Sequence, residues 1–286
     1  PPPPPPPPRL NCRRQRQMCI RDSSQTPFAY ATSLHGAEQT RLVADYDSNG
    51  WPQSGRNRAV QQMRKAYAVH IAGDQHLAAL LHYGVEEWRD SSLAFGVPSI
   101  ANFYPRSWLP LEPGQNRESS APEHTGDFLD GLGNRITVYA VANPSPSGRE
   151  PAALHDKMPG YGIVRFNKSE RTTTFECWTR YAVPGQDEQY PGWPRTFDLM
   201  DNNGREVTGY LTTLDIKGLS DTVIQVYRRK QLVYAVRVKG STIRPWVFGY
   251  GSYTVIIGEP GTEKIRTLRG LVPLPKGVRR TFLVEF

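Results

Sequence analysis

Residues 66–72 read AYAVHIA, a short apolar run with almost no alternation. Such a run suits a strand buried on both faces, as in a sheet covered from either side, and it constrains the fold more than any other stretch of the chain. Just before it, SGRNRAVQQMRK (residues 54–65) leads into Tyr67 and places Val60, Met63 and Tyr67 at helical spacing, with arginines on the other face; this predicts a helix. Residues 47–52, DSNGWP, are turn formers and predict a loop. After the run the apolar character stops at once, at Gly73-Asp74-Gln75-His76. Helix, buried strand and abrupt polar exit together predict an α/β sheet.

In sheets covered by helices, functional groups gather at the carboxyl ends of strands, where loops hold polar side chains beside a rigid scaffold. Glycine at 73 permits a sharp exit. Asp74 and His76, two residues apart, can face one cleft, the first as an oxygen ligand and the second as an imidazole nitrogen. Spacing alone leaves an alternative open, in which Asp74 caps the next segment and His76 is a hydrogen-bonded loop histidine.

Gln25 and Thr26 in SQT, and His35 in SLHG, can line the same cleft from another strand end, or be structural. Arg106 in YPRSW offers a guanidinium for phosphate beside Trp108, or else pairs at the surface next to a packing tryptophan. His70 and His82 read as structural histidines. Glu86, Glu87 and Asp90 read as a solvated face, and Cys177 as an inward core residue alongside Phe175. Asn167-Lys168-Ser169 fits the glycosylation acceptor pattern, a triplet common by chance.

SGRNRAVQQMRKAYAVHIAGDQHL, then FGVPSIANFYPRSWLP, then GYGIVRFNKSERTTTFECW resemble the C-terminal part of the PhoD-like (alkaline phosphatase D) phosphatases, a branch of the calcineurin-like metallophosphoesterases. The resemblance covers most of residues 24–193. It implies part of a four-layer αββα domain with a two-metal site of divalent or trivalent ions acting on phosphate esters. It also implies that Asp74 and His76 are metal ligands and catalytic residues, because Gly-Asp-x-His is that branch's last metal motif. Gln25, His35 and Arg106 are the expected substrate-binding residues. The family's earlier motifs, an Asp motif, a Gly-Asp-x-x-Asp and a Gly-Asn-His-Asp/Glu, are not found in the chain; GNR at residues 133–135 comes too late and lacks the histidine. The expectation is therefore an enzymatic parent, exported by resemblance, and an inactive fragment of it.

The first 23 residues carry information of another kind. They open on eight of the chain's 26 prolines, and Arg9, Arg13, Arg14, Arg16 and Arg21 against Asp22 give +4 of the formal net +8. Taken at face value they would form a stiff polyproline rod followed by a basic patch for nucleic acid or membrane. Residues 13–22, RRQRQMCIRD, also match in one reading frame the translation of the mosaic-end adapter of transposase-based sequencing libraries. On that reading residues 1–23 are an artefactual, unstructured tail to be left out of fold reasoning. The native chain would then start near Ser24, truncated. The remainder is mildly basic with one cysteine, no nucleic-acid binding is expected, and no apolar run is long enough to span a membrane.

Residues 109–160 are rich in Pro, Gly, Ser, Asn and charge, predicting long surface loops around a strand at 135–141. Asn202-Asn203-Gly204 predicts a turn. From about residue 205 short β signals dominate, with a hairpin turning at 229–231, a second hairpin in 252–270, and Tyr234, Val236 and Val238 alternating with a wet face of Ala235, Arg237 and Lys239. The expected organisation is a tail (1–23), the C-terminal part of a metallophosphoesterase domain (24–195), and an all-β immunoglobulin-like sandwich (196–286). Tyr227, Tyr234, Trp246, Phe248, Tyr250 and Tyr253 are either a sugar-binding platform or core. The competing function is accordingly a non-catalytic module that docks on polysaccharide or a partner. The sandwich is expected to fold alone. Open sheet edges are expected to leave the part before it poorly stable.

Overall fold

The computed structural model describes residues 20–101 and 104–286, so the readings of residues 1–19 lie outside the described residues. Strands dominate, arranged in several sheets, and two compact units divide the chain at residues 205 and 206. No helix is long and apolar enough to cross a membrane among the described residues.

The first unit contains β1 (Ile20–Ser23), β2 (Leu34–His35), β3 (Thr40–Arg41), α1 (Gln53–Lys65), β4 (Ala68–Ala72), β5 (Ala79–Tyr83) and β6 (Leu93–Gly96). It continues through β7 (Arg106–Ser107), β8 (Gly126–Leu129), β9 (Arg135–Val141), α2 (Ala152–His155), β10 (Gly160–Asn167), β11 (Thr172–Thr179) and β12 (Arg195–Asp198). A six-stranded sheet in the order β1-β4-β6-β5-β9-β8 forms its centre, with β1, β4 and β6 parallel and the rest antiparallel.

Because side chains alternate along a strand, successive residues of this sheet enter two different cores. Ala68, Leu81, Tyr83 and Ala94 point to one that also holds Val60 and Met63 of α1. Val69, Leu80, Leu93 and Phe95 point to the other, which holds Phe175 and Cys177 of β11 and Phe197 of β12. Phe95 and Phe175 meet edge to face at 5.8 Å. The helix thus covers one face of the central sheet, and the sheet β10-β11-β12 covers the other. That double cover is why AYAVHIA shows no alternation. The second sheet comes close: a β-carbon at Gly162 would stand 2.5 Å from the Phe95 ring.

Four expectations need correction. Arg56 and Arg64 of α1 are buried, not on an outer face. Arg56 donates to the carbonyls of Phe28 (2.9 Å), Gly84 (2.5 Å) and Arg135 (3.4 Å), and Arg64 to that of Asp90 (2.6 Å). A guanidinium's several donors can satisfy strand-end carbonyls that would otherwise be buried unpaired. Asp90 is likewise buried, while Glu86 and Glu87 are exposed. Its carboxylate accepts the amides of Val85 (2.7 Å) and Glu86 (3.2 Å) and pairs with Arg64 at 3.3 Å.

Residues 20–23, assigned to the tail by sequence, have their backbone parallel to β4, with Ile20 opposite Ala68 and Ser23 opposite Ile71. Main-chain pairing to an open strand edge makes no demand on particular side chains, so sequence chemistry does not anticipate it. Asn202 and Asn203 do lie in a turn, but a buried one: Asn202 Oδ1 accepts the Leu93 amide (2.7 Å) and Asn203 Nδ2 reaches the Arg64 carbonyl (3.2 Å).

The second unit runs from Glu206 to Phe286 and contains β13 (Gly209–Tyr210), β14 (Thr213–Lys217), β15 (Asp221–Arg228), β16 (Gln231–Lys239), β17 (Thr242–Ile243), β18 (Trp246–Val247), β19 (Tyr253–Gly258), β20 (Ile265–Leu271) and β21 (Thr281–Glu285). Its sheets are β16-β15-β19-β20, β17-β14-β21 and β13-β18. Tyr234 stacks on Trp246 (4.8 Å, 6°), and Tyr234, Trp246 and Tyr253 are interior whereas Tyr250 is exposed. The fourth correction concerns β16: Ala235 and Arg237, expected on a wet face, are buried. Arg237 is neutralised by Glu259 at 2.8 Å and Asp221 at 3.8 Å, which lets its stem lie under cover.

Candidate functional site

β4 delivers the chain to Gly73, whose amide and that of Asp74 both donate to the Gln25 carbonyl, at 3.2 and 3.0 Å. The turn closes through the His76 amide on the Gly73 carbonyl (3.2 Å), and His76 adopts a left-handed backbone, φ 53°. That conformation costs a residue with a β-carbon about 1 kcal/mol or more, and it persists only where the surroundings impose it. Here the imposition comes from Gln75 and Leu77. Both are buried, and Gln75 donates to the Ala29 carbonyl at 3.1 Å. Gln75 therefore anchors the turn while Asp74 and His76 remain half-buried at its surface.

Gln25 and Arg106 lie close to this turn, and His35 lies beside Arg106. The Gln25 amide donates to Asp74 Oδ1 at 3.4 Å. His35 in β2 stands opposite Arg106 in β7, and its Nδ1 is 2.8 Å from the Tyr104 hydroxyl. Arg106 lies 5.6 Å over the Tyr104 ring and 3.7 Å from Asp45. His76 feels both neighbours: its pKa is lowered chiefly by burial and then by Arg106, with Asp74 opposing. The imidazole is neutral near pH 7, the form that accepts a hydrogen bond or ligates a cation. Tyr30, buried nearby, has its phenol pushed up to about 12, first by burial and then by Asp45, with Arg106 opposing.

Thr26 is buried, and its carbonyl accepts Ser24 Oγ (2.5 Å) and Asn49 Nδ2 (3.1 Å), a structural role. His70 is buried between Ser24 Oγ (2.8 Å) and the Tyr83 hydroxyl (2.9 Å). His82 is buried between the Ser91 carbonyl (2.8 Å) and the Tyr139 hydroxyl (3.2 Å). Trp108 is a core residue whose Nε1 donates to the His124 carbonyl at 3.0 Å. Cys177 is a buried free thiol, its pKa pushed up by burial.

Asp45 and Tyr104 escaped the sequence reading. Asp45 heads a turn, accepting the Asp47 amide at 2.9 Å on Oδ1, so turn chemistry accounts for it and masks its pairing with Arg106. Its only outward signal is an acidic residue opening a turn-rich stretch.

Among the described residues no three His, Cys, Asp or Glu side chains converge to hold a metal ion. Asp74 and His76 supply two donors, and the nearby Asp45 is engaged by Arg106. A metal site with protein ligands needs three or four, so these residues do not complete one. What the cluster itself offers is an amide donor on the Asp74 carboxylate and a neutral imidazole that feels both Asp74 and the Arg106 guanidinium, the latter paired with Asp45. Compared with family models, with curated proteins and with solved structures, the chain finds no match.

Proposed function

We propose that the first unit is the C-terminal part of a calcineurin-like, PhoD-like phosphoesterase domain, that the second is an immunoglobulin-like sandwich appended to it, and that the turn at residues 73–76 forms one wall of a phosphate-ester cleft. The observation that carries this reading is the gathering of Gln25, Asp74, His76 and Arg106, residues spread over more than 80 positions, about one strand end, with His35 opposite Arg106 on the adjoining strand. In this reading Arg106 and Gln25 take phosphoryl oxygens. Asp74 and His76 contribute two ligands to the metal ions that the resemblance implies, and the remaining ligands come from polypeptide outside this sequence. The chain by itself is then inactive.

Turnover of p-nitrophenyl phosphate and metal content by mass spectrometry test it. They are measured on this chain and on a longer polypeptide carrying the Asp, Gly-Asp-x-x-Asp and Gly-Asn-His motifs upstream. Turnover is expected only in the longer form. There Asp74→Ala and His76→Ala each lower bound metal and turnover by roughly a hundredfold or more. Unchanged metal content in both variants, or an unrelated upstream sequence, sinks the reading. A non-catalytic docking module would then stand, although Tyr234, Trp246 and Tyr253 spend their rings in the interior and leave little of a sugar platform.

A further inference from the structure

A cluster of cations lies in a cleft of the first unit, with a volume of about 270 Å³, at the β8–β9 side of the central sheet and next to β12. Arg89, Arg117 and Arg195 all line it, with Asn116, Glu118 and Tyr139. Three strands, β6, β5 and β9, separate β8 from the β4 that carries the turn at residues 73–76.

The floor is prepared by Asp127. This buried carboxylate receives Arg89 Nη2 on both oxygens (2.8 and 2.9 Å), Asn116 Nδ2 (2.9 Å) and Thr137 Oγ1 (2.5 Å). Its charge is satisfied by Arg89, and it fixes the positions of Arg89 and Asn116. The loop bearing Arg117 is clamped onto β8 by reciprocal bonds between Gln115 and Asp127, at 3.1 and 2.8 Å. Such close approach requires glycine at 126, where φ is 102° and a β-carbon would stand 2.6 Å from the Gln115 carbonyl oxygen.

Arg117 and Arg195 are held differently, by carbonyls instead of carboxylates. Arg117 Nη1 donates to Ala121 (2.8 Å), Glu118 (3.4 Å) and Ser119 (3.5 Å), and Arg195 Nε to Gly192 (2.9 Å). Neither has an acidic partner within 4.0 Å among the described residues. Two oriented guanidiniums therefore share one concave space without a counter-charge of their own, and Glu118 is the one carboxylate on the wall besides the neutralised floor. Low-dielectric walls focus such a field, and planar guanidinium forks match oxyanions in two-point contacts.

We propose that this cleft binds a compact oxyanion, phosphate or a phosphomonoester of a few carbons, through Arg117 and Arg195 with Arg89 behind them. Its volume is at the small end of ligand sites, which argues for a small occupant and against a nucleotide. The proposal stands apart from the phosphoesterase reading, because no residue of the turn at 73–76 takes part.

Isothermal titration of the full chain with inorganic phosphate, at pH 7.5 and fixed ionic strength, tests it. Saturable binding is expected, weakened about tenfold in Arg117→Gln and in Arg195→Gln and retained in Lys168→Gln, which removes an exposed cation away from the cleft. Glycerol 3-phosphate run in parallel separates the two sources: tighter binding than phosphate marks a phosphomonoester site, equal binding a site for the bare anion. No saturable binding by the wild-type chain overturns the proposal. So does undiminished binding in both arginine variants, which would place the phosphate elsewhere on the chain. Both arginines are only partly buried, so the variants are expected to melt with the parent, and circular dichroism checks that they do.

Discussion

His82 stands in the middle of the central sheet without solvent, and burial pulls its pKa down to about 4, with the Ser91 carbonyl opposing. The unfolded chain binds a proton there near pH 6.5, the folded chain not until about pH 4. Between those values the unfolded state carries more protons, so stability is fully present above pH 6.5 and falls as pH drops toward 4. His82→Gln keeps a donor and an acceptor and removes the titration. Urea unfolding of the two proteins from pH 7.5 to 4.5 is expected to show the wild type losing about 2–3 kcal/mol more than the variant. Parallel pH profiles would mean that the imidazole is hydrated in the folded state. Asp90 teaches a related lesson at this scale. EEWRD looks like a solvated run, yet its last residue turns inward because a carboxylate that meets two backbone amides and Arg64 is at home under cover.

At the scale of elements, the hairpin β15–β16 turns through Arg229 and Lys230, both in the left-handed region, φ 48° and 67°. Two positive values in a two-residue loop define the type I′ turn, which asparagine and glycine occupy with less strain than arginine and lysine. Replacing the pair by Asn-Gly is expected to stabilise the second unit by about 1 kcal/mol. In calorimetry that is a rise of about 4–8 °C in its Tm for a unit of this size. An unchanged or lowered Tm would show that the loop relaxes differently. Local signals of this kind are what sequence reads well: the helix before β4, the strand at 135–141 and the β15–β16 turn all fall close to where periodicity and turn chemistry put them. The arginines of α1 were misread because periodicity reports only on apolar residues. A charged head that satisfies buried carbonyls leaves no mark on it.

At the scale of the whole molecule, the strand end after β4 was legible because its chemistry is contiguous in four residues, whereas the arginine cleft was not. Arg89, Arg117 and Arg195 lie far apart in the chain, on a loop after β5, a loop before β8 and on β12. Only the stacking of one sheet on another brings them together, and no spacing rule encodes that. The double cover of the central sheet was likewise implied by AYAVHIA, but not that a second sheet would supply one of the two covers.

Arg56 ties α1 to carbonyls at residues 28, 84 and 135, up to 79 positions away. None of those bonds can form until three loops have been closed, and the entropy of closure is spent before the guanidinium returns anything. Its contribution belongs to the last step of assembly, as a latch on a finished sheet. Arg56→Met is therefore expected to leave the refolding rate near the parent's. Unfolding should quicken about a hundredfold, the kinetic share of roughly 3 kcal/mol lost when buried carbonyls go unpaired. Stopped-flow chevrons check it. A slowed refolding limb would place the helix in the nucleus instead, and the molecule would owe its persistence in time to some other late contact.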